Sequence, residues 1–165
     1  MLAAIAVSQT VPSEAGSVAG WKLVKHSFYR STADYEYQKG PLVASVRIAT
    51  HATPESAKGY EASVLTKTGI AQFPVENRVI EASGLRLFDT HVGQSRDDGK
   101  FVLSPTRGAI LHGAVGSHSY MVGVRFSKPY PRDTMVKDLE RFVPEMLKSA
   151  KPSTEVDSTV YPRSG

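Results

Sequence analysis

Between Trp21 and Arg30 apolar and polar residues alternate with interruptions, and between Leu42 and Thr50 the set Leu42, Ala44, Val46 and Ile48 recurs at period two. Period two puts alternate side chains on one face of an extended chain, which predicts two strands, each with one buried face. Lys39-Gly40-Pro41 marks the turn between them. At Thr53-Pro54-Glu55 the pattern changes. A hydroxyl, a proline and an acid in this order suit a helix N-terminus, where unpaired backbone N–H groups point outward. Ala57, Tyr60, Val64 and Leu65 then recur at three-to-four spacing before Gly69, which is placed for a left-handed cap; a helix over 54–68 is predicted.

Five short segments follow, Asn77 to Ala82, Gly84 to Val92, Lys100 to Leu103, Ala109 to His112 and Ser119 to Ser127. They are rich in Val, Phe, Tyr or Ile and separated by turn residues, and so read as an antiparallel meander. Asp97-Asp98-Gly99 suits a tight hairpin turn. From Asp133, read as an N-cap, the residues Met135, Val136, Leu139, Phe142, Val143, Met146 and Leu147 form one apolar stripe of a second helix. Pro144 predicts a kink or break near Phe142. The expected fold is therefore α+β, an antiparallel β-sheet of about six or seven strands with two helices packed on it as a layered sandwich.

This domain spans 21–150. The uncharged start, with Leu2-Ala3-Ala4-Ile5-Ala6-Val7, reads as a signal-peptide remnant or, alternatively, as an ordinary first strand, with Ser8 to Gly20 as a linker. Residues 151–165 read as a loosely held tail or as an edge segment along the domain. Element order, Thr53-Pro54-Glu55-Ser56-Ala57 opening the first helix and the amphipathic last helix together resemble the PsbP-like α/β sandwich family over Trp21 to Ala150. That resemblance implies a small exported accessory, chaperone, immunity or lipoprotein component rather than an enzyme. It carries no functional residue over to a position in this chain.

Leu, Ile, Val and Phe make up 39 of 165 residues, enough to build a core and to exclude wholesale disorder. The absence of cysteine excludes thiol nucleophiles, Cys-ligated zinc and disulfides. The net charge of +4 is spread along both halves without a basic arm, which argues against nucleic acid as a partner. No run of 18 apolar residues exists to span a membrane. Localisation reads as periplasmic or secreted, with cytoplasmic as the alternative.

Three further kinds of site have candidate residues in the chain. Of the five histidines, His112, His118 and His91 are the first candidates for a metal, but their spacing matches no ligand pattern and no cofactor is expected. A hydrolase would use Ser117 or Ser119 as nucleophile, His118 or His91 as base and Asp89 as orienting acid, although no nucleophile elbow frames them. A small-ligand carrier would need an apolar pocket between the sheet and the last helix, near Phe142, Met146 and Tyr120. The leading expectation is a non-enzymatic protein-binding domain of inhibitor, immunity or accessory type, with a secreted effector or an envelope complex as its partner. Tyr and Arg dominate binding hot spots. On that ground the contact residues are expected to be Tyr29, Tyr35 and Tyr37 in one loop with Arg96, Asp97, Asp98 and Arg107 in others, on one rim of the sheet.

Overall fold

The computed structural model describes residues 7–10, 16–68, 78–79, 85–95, 101–126, 128 and 130–161. The first half of the chain folds as an antiparallel meander of β1 (Val7–Thr10), β2 (Lys22–Tyr29), β3 (Thr32–Lys39) and β4 (Leu42–Thr50). Helix α1 (Pro54–Thr68) follows, and its entry is capped as expected, with the Thr53 hydroxyl accepting the Ser56 N–H at 3.1 Å. A second meander comprises β5 (Arg78–Val79), β6 (Arg86–Ser95), β7 (Phe101–Val115) and β8 (His118–Phe126), and α2 (Arg132–Ser149) ends it. Strand β8 lies antiparallel to β4, which fuses both meanders into one sheet of order β1-β2-β3-β4-β8-β7-β6-β5.

The α+β class, the antiparallel sheet and the two helices are as the sequence indicates. The strand number is not. Eight strands pair through the backbone, and among the described side chains the buried core draws on five of them, β2, β3, β4, β7 and β8. Val7–Thr10 is an edge strand, and the two segments Lys100 to Leu103 and Ala109 to His112 belong to one long strand. Thr32–Lys39, read as part of a loop, is an interior strand.

Period-two packing sorts the side chains. Ala33, Tyr35 and Tyr37 of β3 stand beside Ile48, Val46 and Ala44 of β4, which stand beside Tyr120, Val122 and Val124 of β8. This face is buried under α2, whose Met135, Val136, Leu139, Phe142, Val143 and Met146 close the core with Trp21, itself 4.8 Å from the Phe142 ring. Helix α1 packs against β7 and β8 on the other face, where Tyr60 and Val64 approach Ala49, Ser119 and Met121. Helix α2 runs unbroken through Pro144, so of the expected kink or break the break does not occur. Burying six large apolar side chains is worth on the order of 10 kcal/mol, against about 3 kcal/mol for an interior proline. Asp133 sits in the first turn and Pro131 holds the cap position, its carbonyl accepting the Met135 N–H.

The segments flanking the domain are attached to it. Val18 is buried and exchanges two 2.8 Å backbone hydrogen bonds with Trp21. Lys151–Tyr161, one reading of which was a loose tail, lies along the domain as a strap.

Three hairpins turn on two residues, and in each the first of the two has a left-handed φ: Arg30 at +52°, Gly40 at +55° and Gly116 at +57°. Glycine adopts that conformation freely, whereas a residue with a Cβ is strained there by about 1–2 kcal/mol. Arg30 therefore holds a position that glycine fills in the other two turns.

Candidate functional site

The β2–β3 tip, the end of β4, the start of β8 and the β7–β8 turn all lie at one end of the sheet, because Thr32 pairs with Ala49 and Thr50 with His118. The strap crosses this same end. The Tyr35 hydroxyl donates to the Lys151 carbonyl (2.7 Å), the Thr50 hydroxyl to the Ser153 carbonyl (3.0 Å), and the Ser153 hydroxyl to the Arg30 carbonyl. The Asp157 N–H donates to the Thr50 carbonyl (2.9 Å) and the Ala52 N–H to the Asp157 carbonyl (3.2 Å). A strap with few large side chains is thus held by main-chain pairing and hydroxyl groups.

Five large hydrophobic residues among those described are exposed, Phe28, Tyr29, Val115, Val156 and Val160, with 40–79% of their surface open to solvent. All five belong to the β2–β3 tip, the β7–β8 turn or the strap, and so to one end of the sheet. The Arg30 guanidinium lies over the Tyr29 ring, 5.3 Å from its centroid. Phe28 and Arg30 form one side of an open groove whose other side is Lys151 to Glu155 of the strap. The site combines exposed aromatic area, a cation held on an aromatic face and a strained turn residue.

Beneath the strap the ring of His51 is enclosed. His51 and Ser119 are 2% and 4% exposed, and His51 Nε2 is 2.8 Å from Ser119 Oγ. Tyr60 of α1, tilted, and Tyr161 of the strap, edge-on, pack against the imidazole at 4.9 and 5.8 Å between ring centroids. The Asp157 carboxylate accepts the Thr159 N–H and the Tyr161 hydroxyl. Burial lowers the pKa of His51 below its ordinary value, only partly offset by Asp157. The Thr159 hydrogen bonds hold the Asp157 carboxyl below the usual range.

The described members of the expected contact set, Tyr29, Tyr35, Tyr37 and Arg107, lie in different places. Tyr29 is at the end just described, but Tyr35 and Tyr37 are 8% and 1% exposed and belong to the core, because the segment expected as a loop is a strand whose odd positions face α2. Arg96, Asp97 and Asp98 lie outside the described residues. Arg107 pairs with His91 in the β6–β7 ladder, eight residues down β7 from Val115. At about 3.3 Å per residue, that places it toward the opposite end of the sheet from Tyr29, so these residues do not share one rim.

The other candidate sites are rearranged as well. Among the described residues, the imidazole that meets a serine is that of His51, on Ser119, rather than that of His118. Asp89 is on β6, two strands away from β8 in the sheet. The cavity beside Ser119 measures about 10 Å³, room for one water molecule at most. His112 faces Glu61 of α1, with Nδ1 3.3 Å from the carboxylate, whereas alternation along β7 and β8 sends His118 to the other face. His91 is in β6, and among the described residues no group of three potential metal ligands occurs. Trp21, Tyr37, Leu139, Phe142 and Met146 fill the space between sheet and last helix where a ligand pocket was expected. A concavity of about 340 Å³ lies instead on the other face of the sheet, with Lys25, Glu36, Arg47, Ile110 and Met121 among its lining. No helix among the described residues is long and apolar enough to cross a membrane.

Sequence reasoning passed over His51, Ser153 and Asp157. The one available signal was that His51 lies two residues before the Thr53 cap, at the end of a strand whose even positions form the core. The fold and this site together define an α+β protein with one antiparallel sheet and an apolar, cation-bearing sheet end. No family model, curated protein or solved structure matches the chain.

Proposed function

We propose that the chain is a non-enzymatic protein-binding domain whose contact surface is the sheet end formed by Phe28, Tyr29, Arg30 and the strap. The observation that carries this reading is the gathering of all five described, exposed, large hydrophobic residues at that end. Isolated apolar residues scattered over a surface are ordinary, but their concentration beside an arginine and a groove has the composition of a binding hot spot. Strain retained at Arg30, where the other two turns use glycine, points the same way, since unfavourable backbone conformations collect at functional positions. The inhibitor, immunity or accessory role, and export, rest on the sequence: the apolar first residues and the PsbP-like element order.

The test is capture of a partner on the purified chain, with wild type and a Phe28→Ser, Val156→Ser variant as parallel baits. Stoichiometric capture by the wild type alone is expected. Equal capture by both, or by neither, refutes the assignment.

The concavity lined by Lys25, Glu36, Arg47, Ile110 and Met121 favours a second reading, carriage of a small molecule with apolar and charged parts. A molecule seen bound by native mass spectrometry, and lost in an Ile110→Arg variant, would establish it.

A further inference from the structure

Among the described residues, one buried polar atom of His51 has no hydrogen-bond partner. Its Nε2 is engaged with Ser119, its Nδ1 is buried and without a hydrogen-bond partner, and the strap covers it. A neutral imidazole tolerates this arrangement by leaving Nδ1 as an unprotonated acceptor. A protonated ring cannot, because its second N–H would be a buried charged donor with no acceptor, and such a group costs far more than a neutral one. The Asp157 carboxylate favours the charged ring through space, but the hydrogen bonds it accepts come from the Thr159 N–H and the Tyr161 hydroxyl rather than from the imidazole. The groups that bear on the ring from the elements packed around it are Asp157 and Tyr161 of the strap, Tyr60 of α1 and His118 of β8. Of these, His118 opposes a positive charge on His51 and Asp157 favours it.

We propose that the strap is an acid-weakened latch: protonation of His51 loosens residues 151–161 and with them one wall of the groove that faces Phe28 and Arg30. The consequence for binding rests on the function proposed above, but the latch itself does not. The geometry explains why the two are joined. Asp157 covers His51 and pairs with Thr50 on one side and Ala52 on the other, while Ser153, four residues earlier, ties the same strap to the Arg30 carbonyl. Losing the Asp157 attachment leaves only the hydroxyl contacts at Tyr35, Thr50 and Ser153 to hold the groove wall.

The sign follows from burial. Burial lowers the His51 pKa while the ring is covered, and uncovering moves it back toward the ordinary value of 6.5, so the uncovered state binds more protons. Docking is complete above about pH 7 and weakens as the pH falls through 6.5 toward the lowered value. At pH 5 an uncovered imidazole is protonated about 30 to 1, which sets a ceiling of about thirty-fold on the loosening. Asp157, held low when docked, adds a further loss only below about pH 4.

The experiment is amide hydrogen exchange on the full-length chain at about pH 7.5 and pH 5, corrected for the intrinsic exchange rate. The Asp157 and Ala52 amides are expected to lose up to about thirty-fold in protection at the lower pH, while the Val46 amide in the core stays constant. His51→Gln should abolish the difference, and His118→Gln should keep it. Equal strap protection at both pH values in the wild type, or a difference that survives in His51→Gln and vanishes in His118→Gln, overturns the latch. Should the His51 variant fail to fold, the imidazole of His51 is titrated by NMR in the wild type; a midpoint that does not track the strap's loosening overturns it equally. Partner affinity is measured separately at both pH values. No binding at either one refutes the proposed function while leaving the strap result to stand.

Discussion

Replacing Arg30 separates what the backbone of the β2–β3 turn costs from what its side chain contributes. With φ at +52°, an alanine at this position keeps the left-handed strain of about 1–2 kcal/mol, and a glycine removes it. Glycine also makes the unfolded chain more flexible, at a cost of about 0.4–1 kcal/mol. Both substitutions lose the guanidinium from the Tyr29 face, a contribution of about 0.5–1 kcal/mol at an exposed site that cancels between them. Arg30→Gly is therefore expected to be more stable than Arg30→Ala by about 1 kcal/mol and close to the wild type. Urea unfolding measures the difference as a shift in midpoint at constant slope. Gly116 calibrates it, since an added Cβ there would meet no atom within 4 Å beyond its chain neighbours. Gly116→Ala should then cost about the same 1 kcal/mol through the backbone alone. If Arg30→Ala proves as stable as Arg30→Gly while the calibrating alanine is destabilised, the turn at Arg30 is not strained, and the argument that strain marks the site is refuted. If the reasoning holds, Arg30→Gly folds as well as the wild type yet captures less partner.

Phe142→Ala should cost about 3–5 kcal/mol in urea unfolding, since this ring is fully buried against Trp21 and Tyr37. Val160→Ala, on the exposed strap, should stay within about 0.5 kcal/mol by the same assay. Asp138→Ala removes the acceptor of both Lys39 Nζ (2.8 Å) and the Tyr130 hydroxyl (2.9 Å), and a loss of about 1–2 kcal/mol is expected, smaller in high salt because Lys39 is partly exposed. Burial pushes the Tyr37 hydroxyl up to about 12 from its ordinary 10. The unfolded chain then loses that proton first, so stability held below about pH 10 falls by on the order of 2 kcal/mol as the pH rises toward 12. Phenolate absorbance followed against unfolding should show one tyrosine ionising only with loss of structure.

Local signals in the chain were sufficient for the helices and most strands. Thr53-Pro54-Glu55 places the start of α1, the stripe from Met135 to Met146 places the buried face of α2, and the even positions of Leu42 to Ile48 place the core face of β4. These signals are legible because they depend on neighbours one to four residues apart. Tyr35 and Tyr37 misled for the opposite reason. A tyrosine has an apolar ring and a polar tip, and only pairing with β2 and β4, from either side, decides that both rings face α2. The histidines show the same limit. His112 and His118 are six residues apart, but the two-residue turn at Gly116 and Ser117 puts them on opposite faces.

The sequence by itself determined the class of the fold, since periodicity, caps and turn residues act over short separations and need no partner. Only the tertiary structure decided the site. Ser153, Asp157 and Tyr161 meet Arg30, Thr50 and His51 across about a hundred residues of chain or more, and the β4–β8 pairing that gathers the exposed side chains at one sheet end is equally long-range. Such contacts depend on how two meanders are joined, and no local pattern of polar and apolar residues encodes that junction.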